Sequence, residues 1–262
     1  EERDRTILGI IDEAPRYGLT GLELLAIQFE SDEPQYINEV KRRAVLNGLD
    51  LYALSIHNNF VKPDPNERRA EMDKALKWID VAYRLGVPIM RLFGGRWDTV
   101  GFMELMAQDG LEEPLPGYRY EDAIEWHIEC FTELTKRASD LGIILAIENH
   151  WGITYSADGV LDIVKGVDSP WFKVIMDCGN FRVNTYEQLA ALAPHTVLVH
   201  IKSYQGGGLY YDFEVDYGKV FDILKDVNYN GYLSLEYEGR DAPSKALPPL
   251  IEEMERLVSS NK

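Results

Sequence analysis

The feature of this 262-residue chain that most restricts its fold is an alternation of short, nearly continuous apolar runs with amphipathic stretches. The apolar runs are residues 22–27, 51–56, 89–93, 143–147, 173–176, 197–201 and 232–235. They are rich in Val, Ile and Leu, the pattern of strands covered on both faces. Between them the apolar residues recur at helical spacing. One helix starts at Asp64-Pro65-Asn66-Glu67, where Asp64 suits the N-cap, Pro65 the first turn and Glu67 a capping box. Its stripe runs through Ala75, Trp78, Ile79, Ala82 and Tyr83, and Gly86 ends it. A second covers about residues 120–141, with Ile124, Ile128, Phe131, Leu134 and Ala138 on one face. Others are read at 187–192, 217–227 and 249–258. Strands alternating with helices predict an α/β fold, a parallel sheet with helices outside it.

A closed (β/α)8 barrel has eight strands, and seven are counted here. The chain opens in helix-like sequence, with Ile7, Ile10, Ile11 and Ala14 on one face and Gly18 as a stop, and no strand precedes that helix. The expectation is a single barrel domain over 1–262 whose first strand is missing from the chain. Its size is ordinary for one such domain. The segment 94–117 is the longest connection; it carries Arg96, Trp97, Phe102, Met103 and Met106. A long loop after a strand often covers a site, although it could also be a surface excursion packed on its own apolar residues.

Composition excludes several classes. The formal net charge of −17 argues against a nucleic-acid partner, which calls for a basic face. No apolar run is long enough to span a membrane, and no signal peptide is visible, so a cytoplasmic location is expected. Cys130 and Cys178 suggest neither a disulfide framework nor a Cys-rich zinc site and read as core thiols.

Polar groups gather at the ends of the apolar runs: His57, Arg91, Glu148-Asn149-His150, Asp177-Cys178-Gly179-Asn180, His200-Ile201-Lys202 and Glu236-Tyr237-Glu238. All strands of a parallel barrel end on one face, so these groups converge. Packed carboxylates repel unless a cation sits among them. Glu148, Asp177, Glu236 and the imidazole of His200 would form a mixed oxygen and nitrogen site for one divalent ion. Mn²⁺ is favoured, with Mg²⁺, Co²⁺ and Zn²⁺ also suited. The competing reading is that some of the four are structural, with Asp177 capping the next turn.

The motifs Leu145-Ala146-Ile147-Glu148-Asn149-His150, Val174-Ile175-Met176-Asp177-Cys178-Gly179-Asn180, Val199-His200-Ile201-Lys202 and Leu233-Ser234-Leu235-Glu236 resemble the xylose-isomerase-like TIM barrels, the sugar phosphate isomerase and epimerase superfamily. The resemblance runs from Leu22 to Leu257. In ketose 3-epimerases of that family the positions matching Glu148, Asp177, His200 and Glu236 bind one metal. It implies isomerisation or epimerisation of a sugar or other polyhydroxy ketone, linear or cyclic, through an enediolate. One of Glu148 and Glu236 removes the proton and the other returns it. Such epimerases commonly carry histidine where Asn180 stands, and asparagine cannot exchange a proton near neutral pH. A metal-dependent lyase, of the inosose-dehydratase or keto-glycoside-cleaving type, is therefore the alternative, since the same enediolate can expel a β-leaving group. Apurinic-site endonucleases share the superfold, but five histidines and the acidic balance argue against that activity. A non-catalytic barrel would fail to take up a metal.

His57, Arg91, Trp97, Asn180 and Lys202 are expected to contact substrate. Each has a structural alternative: a satisfied histidine, an Arg91–carboxylate pair, core or rim packing of Trp97 as of Trp151, and neutralisation of the acidic cluster by Lys202. His150 is expected to support a neighbouring ligand, His127 and His195 have no role, and the chain is a possible homo-oligomer.

Overall fold

The computed structural model describes residues 6–209 and 213–260. Seven parallel strands form one sheet in chain order: β1 (Gly21–Leu25), β2 (Asp50–Ser55), β3 (Ile89–Leu92), β4 (Ile144–Glu148), β5 (Phe172–Asp177), β6 (Thr196–Ser203) and β7 (Leu233–Tyr237). They correspond one for one to the seven apolar runs. The sheet curls into a nearly closed barrel, since the side chains of β1 and β2 touch those of β7 across a seam. Tyr52 stacks on Tyr232 with ring centroids 4.2 Å apart, and the Tyr52 hydroxyl donates to Ser234 Oγ at 2.9 Å. Among the described residues no backbone ladder joins β1 to β7, so the fold is that of a TIM barrel with seven of eight strands. The expected missing strand has no counterpart in the described residues.

The helices are α1 (Ile7–Glu13), α2 (Pro34–Leu46), α3 (Pro65–Leu85), α4 (Phe102–Ala107), α5 (Tyr120–Asp140), α6 (Ala157–Val167), α7 (Thr185–Leu192), α8 (Tyr217–Asp226) and α9 (Pro243–Ser260). Asp64 caps α3 by accepting the Asn66 N–H at 2.8 Å, and Gly86 closes it in the left-handed conformation, φ +81°. Three helices were not read from sequence. Two of them, α2 and α6, follow β1 and β4 and cover the sheet; α4 lies inside the long 94–117 connection. The last helix starts six residues before the expected 249, with Pro248 and Pro249 inside it. Tyr83, placed on the buried stripe of α3, is 58% exposed.

Two apolar layers result. The larger lies between sheet and helices, around Leu54, Phe131, Leu134, Val174 and Val199. The smaller fills the barrel floor with Tyr52, Ala53, Ile89, Ala146, Ile175 and Leu198. Side chains alternate along a strand, so the residue two places on from an inward-facing floor residue again faces the interior, as five of the six floor residues show. That rule carries Ala53 to Ser55, Ile89 to Arg91, Ala146 to Glu148, Ile175 to Asp177 and Leu198 to His200. An apolar floor therefore lifts a polar layer to the C-terminal mouth, where TIM-barrel sites lie.

Candidate active site

Three carboxylates surround one ring nitrogen. Nδ1 of His200 lies 2.8 Å from Glu148 Oε1, 3.2 Å from Glu236 Oε2 and 3.9 Å from Asp177 Oδ2. One candidate donor atom from each of the four residues lies within 4.8 Å of all the others. Sheet register produces the meeting, for Asp177 pairs with His200 across β5 and β6 while Lys202 pairs with Glu236 across β6 and β7.

Neighbouring groups orient the donors. Asn149, next after β4, clamps the end of β5: its Nδ2 donates to the Asp177 carbonyl at 3.0 Å, and its Oδ1 accepts the Asp177 N–H at 2.8 Å. Asp177 Oδ1 accepts the Gly179 N–H at 2.7 Å, so Asp177 does cap its turn. Its Oδ2 stays turned toward the cluster. Arg91 Nη1 donates to Glu148 Oε2 at 3.0 Å, leaving Oε1 beside His200. On the far side of the imidazole, Nε2 lies 2.8 Å from Glu23 Oε2.

The donor set fits a divalent cation on three counts. Asp177 Oδ2 and Glu236 Oε2 are buried and lack a well-aligned hydrogen bond, each having only ion-pair approaches, the nearest at 3.2 Å from Lys202 Nζ and His200 Nδ1 respectively, although buried oxygens are almost always satisfied. Five carboxylates, of Glu23, Glu148, Asp177, Glu236 and Glu238, stand against two permanent cations, Arg91 and Lys202. Lastly, two of the four groups, Asp177 and His200, favour a bound proton in the absence of a cation. Burial, helped by Glu236 and Glu148, holds the Asp177 carboxyl well above its ordinary range despite Lys202. His200 would be pushed down by burial, but the charge of Glu23 and bonds to Glu148, Glu23 and Glu236 push it well up. Burial likewise opposes ionisation of Glu148, yet Arg91 and His200 hold it at about 2. Glu236 is kept well below the usual carboxylate range, Lys202 and His200 outweighing burial. A cation entering such a cluster would displace its protons.

The cluster opens into a cavity of about 750 Å³, lined among others by Glu23, His57, Arg91, Phe93, Trp151 and Glu236. That is within the usual size for a small-molecule site. One wall is a ladder of rings: His57 on Phe93 at 4.7 Å, Phe93 on His150 at 4.5 Å, His150 on Trp151 at 4.4 Å and Trp151 on Phe102 at 5.2 Å. Phe102 begins α4, so the 94–117 connection does reach the cavity. His150 is pushed down to about 4, chiefly by burial. A second hollow of about 640 Å³, around Arg182 and Glu187, includes none of the clustered carboxylates.

The substrate contacts expected from sequence divide. His57 and Arg91 line the cavity, Arg91 also pairing with Glu148. Trp97 does not: it is 4% exposed and packs on Tyr118 and Trp126, a large ring better served by the aromatic core than by the rim. Trp151 takes the wall position instead. Asn180 and Lys202 are buried behind the carboxylates. Asn180 Nδ2 donates to the Asn149 carbonyl at 3.0 Å and its Oδ1 accepts from Lys202 Nζ at 3.2 Å. Lys202 Nζ also lies 3.2 Å from Asp177 Oδ2 and 3.4 Å from Glu236 Oε1, the neutralising position. Sequence reading passed over Glu23, Ser55, Asn149 and Ser234. The available signal for Glu23 was a carboxylate inside the apolar run Leu22-Glu23-Leu24-Leu25.

Solved structures with the same architecture include D-psicose 3-epimerase from Clostridium cellulolyticum H10, 18% identical, with TM-score 0.73 over 95% of this chain and 92% of that one. The 3-keto-D-glucoside 4-epimerase YcjR from E. coli is 15% identical, with TM-score 0.77 over 96% and 95%. The probable 3-DHS dehydratase AsbF from Bacillus anthracis is 14% identical, with TM-score 0.69 over 94% and 92%. Identities this low establish a common fold. No curated protein matches the chain by sequence. The family model for the xylose isomerase-like TIM barrel matches residues 11–259, which takes in all seven strands and all four clustered donors. The chain belongs to the xylose isomerase-like TIM barrel family.

Proposed function

We propose that this chain is a divalent-metal-dependent isomerase or epimerase of a sugar or other polyhydroxy ketone, acting through an enediolate. The observation that carries the reading is the meeting of Glu148, Asp177, His200 and Glu236 at the mouth of a barrel. Epimerases among the similar folds support it. When bound, a divalent ion, Mn²⁺ by preference for this oxygen-rich set, supplies the positive charge that stabilises an enediolate.

The chain's own residues do the rest. Arg91 keeps Glu148 ionised, so its carboxylate can accept a proton from carbon beside a carbonyl. Glu236, 32% exposed at the cavity wall, can take up a proton from solvent and deliver it to the enediolate carbon, while Glu148 releases the one it took. The aromatic wall excludes water from one side of the substrate and leaves His57 to meet a hydroxyl. Each positioned acid or base is worth about 10²–10⁴ in rate. Glu148→Gln and Glu236→Gln are each expected to lose at least about 10² in turnover with an unchanged far-UV circular dichroism spectrum. Retained turnover in both variants would remove them as the acid and base.

Asn180 favours a second reading. Its amide is tied to Asn149 and Lys202 and offers no proton carrier to the cavity, and a dehydratase shares the fold. The same enediolate would then collapse with loss of a β-substituent. Turnover of candidate ketoses in D₂O separates the two. Deuterium incorporation without loss of water or aglycone supports isomerisation, whereas growth of an enone absorbance supports elimination.

A further inference from the structure

We propose that Glu23 is the positioning residue of this centre: it fixes the tautomer and tilt of His200 and locks them across the seam of the barrel. The inference rests on the reading of the four-residue cluster as a cation site. A neutral imidazole carries one N–H. The nitrogen that faces a cation must be the bare one, and Nδ1 is the nitrogen ringed by the carboxylate oxygens of Glu148, Glu236 and Asp177. The proton therefore belongs on Nε2, whose partner is Glu23 Oε2 at 2.8 Å. A carboxylate in that place holds the ring in plane and makes Nδ1 a stronger donor.

The surroundings of Glu23 all supply donors. Ser55 Oγ donates to its Oε1, and Ser234 Oγ donates to its Oε2 at 2.8 Å. Tyr52 in turn donates to Ser234 Oγ at 2.9 Å. Glu23 and Ser55 come from the first two strands, and His200 and Ser234 from the last two. The described strands have no backbone ladder between β1 and β7, so this chain of side-chain bonds spans the open side of the sheet directly beneath the cluster. Glu23 is thus set by the barrel's closure, and it passes that setting to one candidate ligand.

The test titrates the chelator-stripped protein with MnCl₂ by calorimetry, in parallel with thermal melting without metal. Glu23→Ala is expected to weaken Mn²⁺ binding by about 10–100-fold, and Glu23→Gln, which keeps one acceptor, by less. Tyr52→Phe cuts the outermost link while leaving Glu23 and His200 in contact. It is expected to lower the melting temperature and leave the affinity unchanged. If Glu23→Ala does not fold, the Ser55→Ala/Ser234→Ala variant replaces it, with a smaller loss of affinity expected. Mn²⁺ binding at wild-type affinity in Glu23→Gln and in either Glu23→Ala or its replacement would overturn the inference and leave the cluster intact as a site. A wild-type protein that takes up no Mn²⁺ would overturn the cluster reading itself.

Discussion

Asp177 gives one oxygen to the Gly179 N–H and turns the other toward His200 and Lys202, so a turn-capping role and a place in the cluster coexist in one side chain. The two readings of this residue open at the sequence level were never exclusive. The four cluster residues were legible because Glu148, Asp177 and Glu236 each follow an apolar run and His200 stands one place before the end of another, so parallel strands bring them to one face. Glu23 escaped because a carboxylate within a strand looks the same whether it faces solvent or the interior, and the register that turns it inward comes from pairing. Trp97 was misplaced because an aromatic residue in a long loop carries no signal separating core from rim. His127, given no role, sits wholly buried on Phe60 and Phe131, its Nδ1–H donating to the Ala123 carbonyl at 2.6 Å. Burial pushes it down to about 4. Its unfolded pKa is higher, near 6.5, so the unfolded chain binds the proton first and stability falls as pH drops below that value. Between pH 7 and pH 5 this histidine is expected to remove about 2 kcal/mol. Urea midpoints of wild type and His127→Phe at the two pH values test it: the variant should lose that share of the slope, and parallel curves would contradict it.

At the scale of elements, strands were easier to read than helices, for a physical reason. A strand covered on both faces is apolar throughout, whereas a helix must show a stripe. In α2 the buried stripe is Ile37, Val40 and Ala44, but Val45 and Leu46 are exposed at about 70%, which blurs the period. In α6 the β-branched residues and two glycines read as anything but helix. Yet a Cβ at Gly159 would run into Tyr120 and one at Gly166 into Ile128, so the glycines are there for close packing on α5. The 94–117 connection is docked, not loose: the Gly152 N–H donates to the Gly110 carbonyl at 2.8 Å and the Ile153 N–H to Gly95 at 3.1 Å. Gly152 has φ +81°, and a Cβ there would strike the Gly95 carbonyl. Gly152→Ala is therefore expected to speed hydrogen exchange across 94–117 while protection of the β3–β6 peptides holds. Unchanged exchange in that connection would show that the docking does not depend on this contact.

For the whole molecule, an apolar floor beneath a layer of five acids would link the binding of a cation at the proposed site to folding. A cation that binds only the folded chain adds about 2.7 kcal/mol at a hundredfold excess over its Kd. In a chain of this size that corresponds to a rise in Tm on the order of 5–10 °C. Differential scanning calorimetry of stripped protein with and without MnCl₂ would register it, and coincident transitions would speak against a cation at the cluster. The seam between β1 and β7 was legible only as a missing strand; that side chains bridge it could not be, because Tyr52, Glu23, His200 and Ser234 are scattered over the whole sequence. The most direct measurement is an anomalous difference map from crystals grown with Mn²⁺. One strong peak is expected, bonded to oxygens of Glu148, Asp177 and Glu236 and to Nδ1 of His200. A map with no peak there, or with Mn²⁺ held by other residues, would contradict it.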